Sequence, residues 1–184
     1  MKLINVLATG PSLKRFKPSD EIRIGVNKIV MSHYVDHLIV VDVLASFRPE
    51  VQKKFRLGNY GQFYTHLPNE WKGTVPTKMN HIHLHHIRGE VDLDTDRYCY
   101  SISSPFVAVS LAFKLGATLI DLYGADYNDH PSFKSSESIE RIKKDFRAFQ
   151  DAIKPRGCSL RVTPESVLAE FLPLIPKSRL KDVS

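Results

Sequence analysis

The chain is poor in cysteine: Cys99 and Cys158 are the only two in 184 residues. Two thiols so far apart build neither a disulfide framework nor a zinc cluster, and they read as reduced, structural residues. No apolar run approaches the roughly 18 to 20 residues that a bilayer crossing requires, and the start lacks the charged-then-apolar pattern of an export signal. A soluble, cytoplasmic protein without a membrane span is the expectation. Internal repeats, low-complexity tracts and linker-like stretches are missing as well, so residues 1–184 read as one domain. Neither G-x-G-x-x-G nor G-x-x-x-x-G-K-[ST] occurs, which removes the two best-attested phosphate loops.

What is present is a normal globular balance, 42% hydrophobic and 25% charged residues, with a net charge of +6 and a pI near 9.3. That charge favours anionic partners such as nucleotides, nucleic acid or acidic glycans without choosing among them. The densest basic clusters, "RIKK" at 141–144 and "KSRLK" at 177–181, read as a solvated helix face and a solvated end. Monomer and homo-oligomer both stay open.

Apolar strands alternate with helical patterns along the chain. "KLINVLA" (2–8) is β-rich and stops at Gly-Pro; "IRIGVN" (22–27) and "HLIVVD" (37–42) read as further strands. Pro49 opens a helix in "PEVQKKF". From 57 to 97, glycines and prolines punctuate short runs such as "QFYTHL" and "HIHLHHI", read as strands joined by loops. "SSPFVAVSLAFKLG" (103–116) predicts a helix, with Ser and Pro105 at its start, Val107, Leu111 and Leu115 on one stripe, and Gly116 at its end. "TLIDLYGAD" (118–126) predicts a buried strand. "SSESIERIKKDFRAFQDAI" (135–153) predicts an amphipathic helix with a capping box. "CSLRVT" is a last strand, and "PESVLAEFLPLI" predicts a last helix starting at Pro164. Parallel strands need crossovers and bury both faces, so the fold class is α/β, three-layer and Rossmann-like, with a mostly parallel sheet between helices.

In such sheets ligands bind beyond the carboxyl ends of the strands. That rule selects "ATGPSL" after the first strand, "VNK" after the second, "VDVLAS" after the third, "SISSP" before the central helix and "GADYNDH" after the strand that this helix feeds. Thr9 and Ser12 bring hydroxyls, Gly10 permits close backbone approach, and the Asn27 amide both donates and accepts. Ser103 and Ser104 stand at a helix start that favours anions; they could equally be caps alone. In "HIHLHH" a strand would put His81, His83 and His85 on one face, a metal-binding geometry. The competing reading is a half-exposed strand whose Ile82 and Leu84 face the core, and it is the one adopted, with no metal assigned.

Four segments in order, "TGPSL", "GVN", "SISSPFVAVSLAFKLGATLIDLYGADY" and "GCSLRVTPESVLAEFLPLIP", resemble the bacterial sialyltransferases of glycosyltransferase family 42 and related phage proteins of that fold. The resemblance spans most of the chain, with a shortened middle and a short lid at about 127–137. It implies a nucleotide-sugar glycosyltransferase, cytidine-monophosphate type, inverting and working without metal or other cofactor. It implies donor contacts from Thr9, Gly10, Pro11, Ser12, Asn27, Ser103, Ser104 and Tyr127. The sequence departs from the family at three points. Its loop begins with Thr9 where the family has Asn; Asn128 and Lys134 occupy the positions of two phosphate-binding tyrosines; and no His precedes the penultimate helix, where the family keeps its general base.

Lys134 still offers phosphate a point charge. His130, on the loop after Asp126, is the nearest imidazole for the general-base task, with Asp126 and Asp42 as rival bases or sugar-hydroxyl acceptors. The acceptor is then a glycan hydroxyl. Two alternatives stand beside it: a phage-type enzyme glycosylating modified DNA bases, for which the positive charge would supply phosphate contacts, and a nucleotide-binding protein without turnover.

Overall fold

The computed structural model describes residues 1–128 and 135–183. Seven strands, β1 (Leu3–Leu7), β2 (Ile22–Val26), β3 (Val35–Ile39), β4 (Tyr60–Thr65), β5 (Met79–His81), β6 (Leu119–Tyr123) and β7 (Ser159–Val162), form one sheet in the order β5-β4-β3-β2-β1-β6-β7. Every neighbouring pair is parallel. The α/β, Rossmann-like fold class read from the sequence is the observed one.

Among the described residues four α-helices cover the sheet: α1 (Pro49–Leu57), α2 (Pro68–Trp71), α3 (Ser104–Lys114) and α4 (Ser136–Ile153). Alternation along the strands sorts their side chains. Ile4, Val6, Ile24, Val26, Ile120 and Leu122 pack with Phe106, Leu111, Phe146 and Phe149 of α3 and α4. Leu7, Leu38, Val40, Phe63 and Tyr123 pack on the other side with Phe55 of α1 and Trp71 of α2. Parallel strands between two helical layers must be apolar on both faces, which is why these runs read as continuous hydrophobic stretches. Local signals set the helix ends: the Ser135 hydroxyl accepts the Ser138 N–H at the start of α4, and Gly116, at φ 82, follows the end of α3.

One row across the second face is polar. Asn5 is in register with Arg23 and with Asp121, and Asp121 with Arg161. Asp121 is fully buried; Arg161 donates to it at 2.7 and 2.9 Å, and Arg179, from a short 3-10 helix (Lys177–Arg179), at 3.0 Å. Arg179 also reaches Glu21 at 3.1 Å.

One sequence expectation is corrected, and one geometry set aside in the sequence reading does not form. No α-helix starts at Pro164; a 3-10 turn at Val167–Glu170 stands there. The cause is the return path: Val162 N–H donates to Pro173 O and Ile175 N–H to Val162 O, so the chain must come back alongside β7 within ten residues. Nor do the three histidines share a face. The strand ends at His81, His81 and His83 are exposed with ring centroids 4.4 Å apart, and His85 turns inward, 6% exposed, with Nε2 3.0 Å from Asp92 O. Ile82 is buried and Leu84 packs on the core, as the adopted reading expects. Among the described residues no group of metal-binding side chains forms and no helix is long and apolar enough to cross a membrane. Both cysteines are free and buried, and burial raises the Cys158 thiol pKa to about 11.

Candidate functional site

The chain runs outward from β1 to β5 and returns on the other side with β6 and β7, so its direction switches between β1 and β6. Beyond the carboxyl ends of these two strands lie the first loop, 8–12, and the loop 124–128. They are fastened to each other. Ala8 N–H donates to Tyr123 O at 2.8 Å and Gly10 N–H to Gly124 O at 2.7 Å. The Asp126 carboxylate, 5% exposed, accepts the Ser12 N–H at 2.6 Å and the Ser12 hydroxyl. Ser12 Oγ in turn accepts from Gly124 N–H at 3.1 Å and from the Thr163 hydroxyl at 2.9 Å.

A Cβ on Gly10 would lie 2.5 Å from Gly124 O and 2.7 Å from Asp126 Oδ2. The glycine is thus required by loop-to-loop packing. The Ser12 hydroxyl faces this interior and not the solvent side, while Thr9 and Pro11 are exposed on the rim. Asp126 holds the first loop in place with both carboxylate oxygens.

Next to this closed seam the arrangement changes. Asn27, directly after β2, has a left-handed backbone at φ 49, a conformation Asn tolerates better than most residues. Its Nδ2 donates to Asp42 Oδ2 at 2.9 Å and to Ser104 Oγ at 3.1 Å. Three elements therefore meet at one amide: the end of β2, the segment after β3 and the start of α3. Asn27 Oδ1 is enclosed and makes no hydrogen bond with the described residues. An enclosed acceptor without a partner costs about 1–3 kcal/mol.

Ser103 does not cap α3 with its side chain; its hydroxyl pairs with that of Tyr127. Tyr127 is buried, at φ 64, with its ring 6.3 Å from that of Phe146. Burial holds its phenol well above the usual range, so it stays a neutral hydrogen-bonding group. A bulky residue at positive φ stores strain, and such strain concentrates at functional loops. Asn128 points the other way, donating to Glu165 O at 2.8 Å.

The expected site residues thus form three groups: Ser12 with Asp126, Asn27 with Asp42 and Ser104, and Ser103 with Tyr127. His130, Lys134 and most of the expected lid at about 127–137 lie outside the described residues.

His66, which the sequence reading passed over, stands one residue beyond β4. Its Nδ1 is enclosed and without a partner among the described residues. Burial lowers its pKa below the usual histidine range, Asp42 pulls the other way, and His81 adds to the lowering. The signal was there in "QFYTHLP": a β-rich run ending in one imidazole immediately before a Leu-Pro break. Two shallow hollows lie elsewhere, one around Gln150, Lys154 and Phe171, the other around Arg88, Glu137 and Lys144. Neither contains an enclosed, unpaired side-chain atom, so the strand-end rim is the better candidate.

No protein-family model and no curated protein sequence matches the chain. Solved structures do match. The sialyltransferase CstII from Campylobacter jejuni, in complex with the substrate analogue CMP-3FNeuAc, superposes with a TM-score of 0.62 at 16% identity, covering 100% of this chain and 89% of that one. CstII with cytidine-5'-monophosphate gives 0.61 at 15% identity with the same coverage, and with a trisaccharide acceptor and CMP 0.61 at 16%. At such identity the likeness is one of fold, and it is the fold that the four sequence segments led one to expect: this chain has the α/β architecture of the sialyltransferase CstII.

Proposed function

We propose that the chain is a glycosyltransferase that takes its sugar from a nucleotide-sugar donor, a cytidine-monophosphate sugar first, and delivers it to a hydroxyl of a glycan acceptor with inversion and without metal. The observation that carries this reading is Asn27: its amide is held by Asp42 and Ser104 while its carbonyl oxygen has no partner among the described residues. A ligand group that donates a hydrogen bond, such as a ribose hydroxyl or a base amino group, relieves that cost once Asn27, itself half-buried, turns Oδ1 out of its enclosure to meet it. The start of α3 beside it favours the donor phosphate through the helix dipole. Thr9 and Pro11 border the same rim, with the Gly10 and Ser12 backbone set by the seam beneath. Lys134 would add charge to the leaving phosphate. CstII, whose fold this chain shares, is a sialyltransferase solved with CMP and with a trisaccharide acceptor, which supports the same donor and acceptor classes here.

The test is a thermal-shift screen with cytidine, uridine, guanosine and adenosine nucleotides and their sugars. Cytidine compounds are expected to stabilise the protein, and Asn27→Gly, which keeps the left-handed backbone comfortable, to weaken nucleotide binding by about 1–3 kcal/mol. A protein indifferent to every nucleotide would end this reading. Binding with no transfer or hydrolysis across the donor panel would point to a nucleotide-binding module, and a salt-dependent shift of duplex DNA to a nucleic-acid acceptor.

A further inference from the structure

We propose that His66 is the group that takes the proton from the acceptor hydroxyl during transfer, an inference that rests on the glycosyltransferase reading above. The backbone around it is fixed on both sides. Tyr64 O accepts from Val40 N–H at 2.9 Å and Thr65 O from Ile82 N–H at 3.0 Å, which ties the end of β4 to the segments beyond β3 and beside β5. Thr65 is fully buried, and its hydroxyl accepts the Leu67 N–H at 3.1 Å, closing a tight turn under the imidazole. Nδ1 is enclosed and without a hydrogen-bond partner among the described residues, while the residue as a whole is only half-buried, so Nε2 is the nitrogen assigned to the acceptor. Asp42 and His81, from the strand ends on either side, are close enough for their charges to act on the ring. Asp42 in turn holds Asn27, and Asn27 holds Ser104. The imidazole therefore borders the cluster that carries the donor assignment.

The competing carboxylates are less suited. Asp126 is committed to Ser12 through both oxygens, and a carboxylate is a weak base at neutral pH, where an imidazole is well matched. In the step, the acceptor oxygen forms a bond to the anomeric carbon as its proton passes to the imidazole lone pair. The bond from anomeric carbon to phosphate oxygen breaks, and its electron pair leaves with the nucleotide. The negative charge of Asp42, which acts on this ring, stabilises the imidazolium so formed. Burial, the main influence on this ring, favours the neutral form that the step requires.

The same enclosed-atom criterion also selects Trp71 Nε1, Thr77 Oγ1 and Glu165 Oε2, and a further group in the polar row that makes an informative comparison. Asn5 Oδ1, Glu21 Oε2 and Arg23 Nε also lack hydrogen-bond partners, the last although Asp36 Oδ2 stands 3.7 Å away, but they lie along the polar row, in mid-sheet or at its amino edge, where a buried water is the ordinary solution. Only at the strand ends do such atoms stand where ligands bind.

The experiment compares wild type with His66→Gln, His66→Asn and His130→Gln. CMP binding is followed by calorimetry, and turnover of a CMP-sugar by transfer or hydrolysis, from pH 5 to 8. Both His66 variants are expected to bind CMP within about twofold of wild type and to lose about 100-fold in kcat/KM, the lower range for general-base removal. The wild-type loss of activity on acidification, centred below pH 6.5, should vanish in them. His66 variants that keep kcat/KM within about threefold with an unchanged acid limb overturn the inference, as does a comparable loss confined to His130→Gln. If wild type binds CMP but turns over no donor, His66 is no catalytic base; if it binds no nucleotide, the parent reading itself fails.

Discussion

The two halves of the strand-end rim are built on opposite plans. Between β1, β6 and β7 most side-chain groups are spoken for: Ser12 and Asp126 bind each other, Gly124 and Thr163 donate to Ser12, and Ser166 donates to Ala125 O at 2.7 Å, while Glu165, paired to Arg15 through Oε1, keeps an enclosed Oε2 without a hydrogen bond. Around β2, β3 and β4 the polar groups are held on one side only, leaving Asn27 Oδ1 and His66 Nδ1 unpaired among the described residues. A fully satisfied buried network rigidifies a fold, whereas a partly satisfied one costs stability unless something else completes it. The closed half therefore reads as scaffold, and the open half is where the proposed ligand would bring the missing partners.

Removing Asp126 should separate the halves most sharply. Asp126→Ala leaves a buried N–H and a buried hydroxyl of Ser12 without their acceptor, and a loss on the order of 3 kcal/mol is expected. The urea midpoint at constant m-value reports it; a loss below about 1 kcal/mol would mean that the seam is not scaffold. Gly10→Ala comes next, because its Cβ meets backbone oxygen at 2.5 Å. About 2 kcal/mol is expected from forced backbone shifts, read from the same curves. Asn27→Gly should invert the pattern, changing stability by less than about 1 kcal/mol while nucleotide affinity falls. Equal losses of stability and binding would erase the distinction.

The smallest effect is a pH dependence. Burial lowers the pKa values of His33, His37 and His66. A histidine whose folded pKa lies below its unfolded value binds fewer protons in the folded state, so stability is full above about pH 6.5 and falls as pH drops below it. Urea midpoints between pH 7.5 and 5, above the ordinary carboxylate range, should decline. A rise on acidification would contradict the burial of these rings.

The sequence made the fold legible where local and tertiary signals agree. The Ser-capped start of α4, the stripe of Val107 and Leu111 and the apolar strands ending in Gly, Asn or Asp all point one way. It misled after Thr163, where a helical pattern gave way to tertiary pairing of Pro173 and Ile175 with β7. In 57–97 it read strands joined by loops, and β4 and β5 are there, but the glycines and prolines that punctuate the stretch hid their bounds. For the site, residue types were readable but not their direction. Nothing in "TGPSL" says that Ser12 turns inward to Asp126, because that hydrogen bond joins residues 114 apart. His66 escaped attention for a related reason: the break in "QFYTHLP" marks a strand end but not a site, and the meaning of the imidazole comes from Asp42, after β3, and His81, at the end of β5.

The mid-sheet pairing of Asp121 with Arg161 bears on how the strands find their alignment. Hydrophobic side chains such as Leu160 and Val162 are nearly interchangeable to a parallel partner, so a shift of β7 by two positions would leave apolar contact largely intact. It would also set Ser159 or Thr163 against a carboxylate stripped of solvent and leave Arg179 as its remaining cation, a mismatch that disfavours the slipped arrangement. A single acid thus dictates which of several greasy alignments survives.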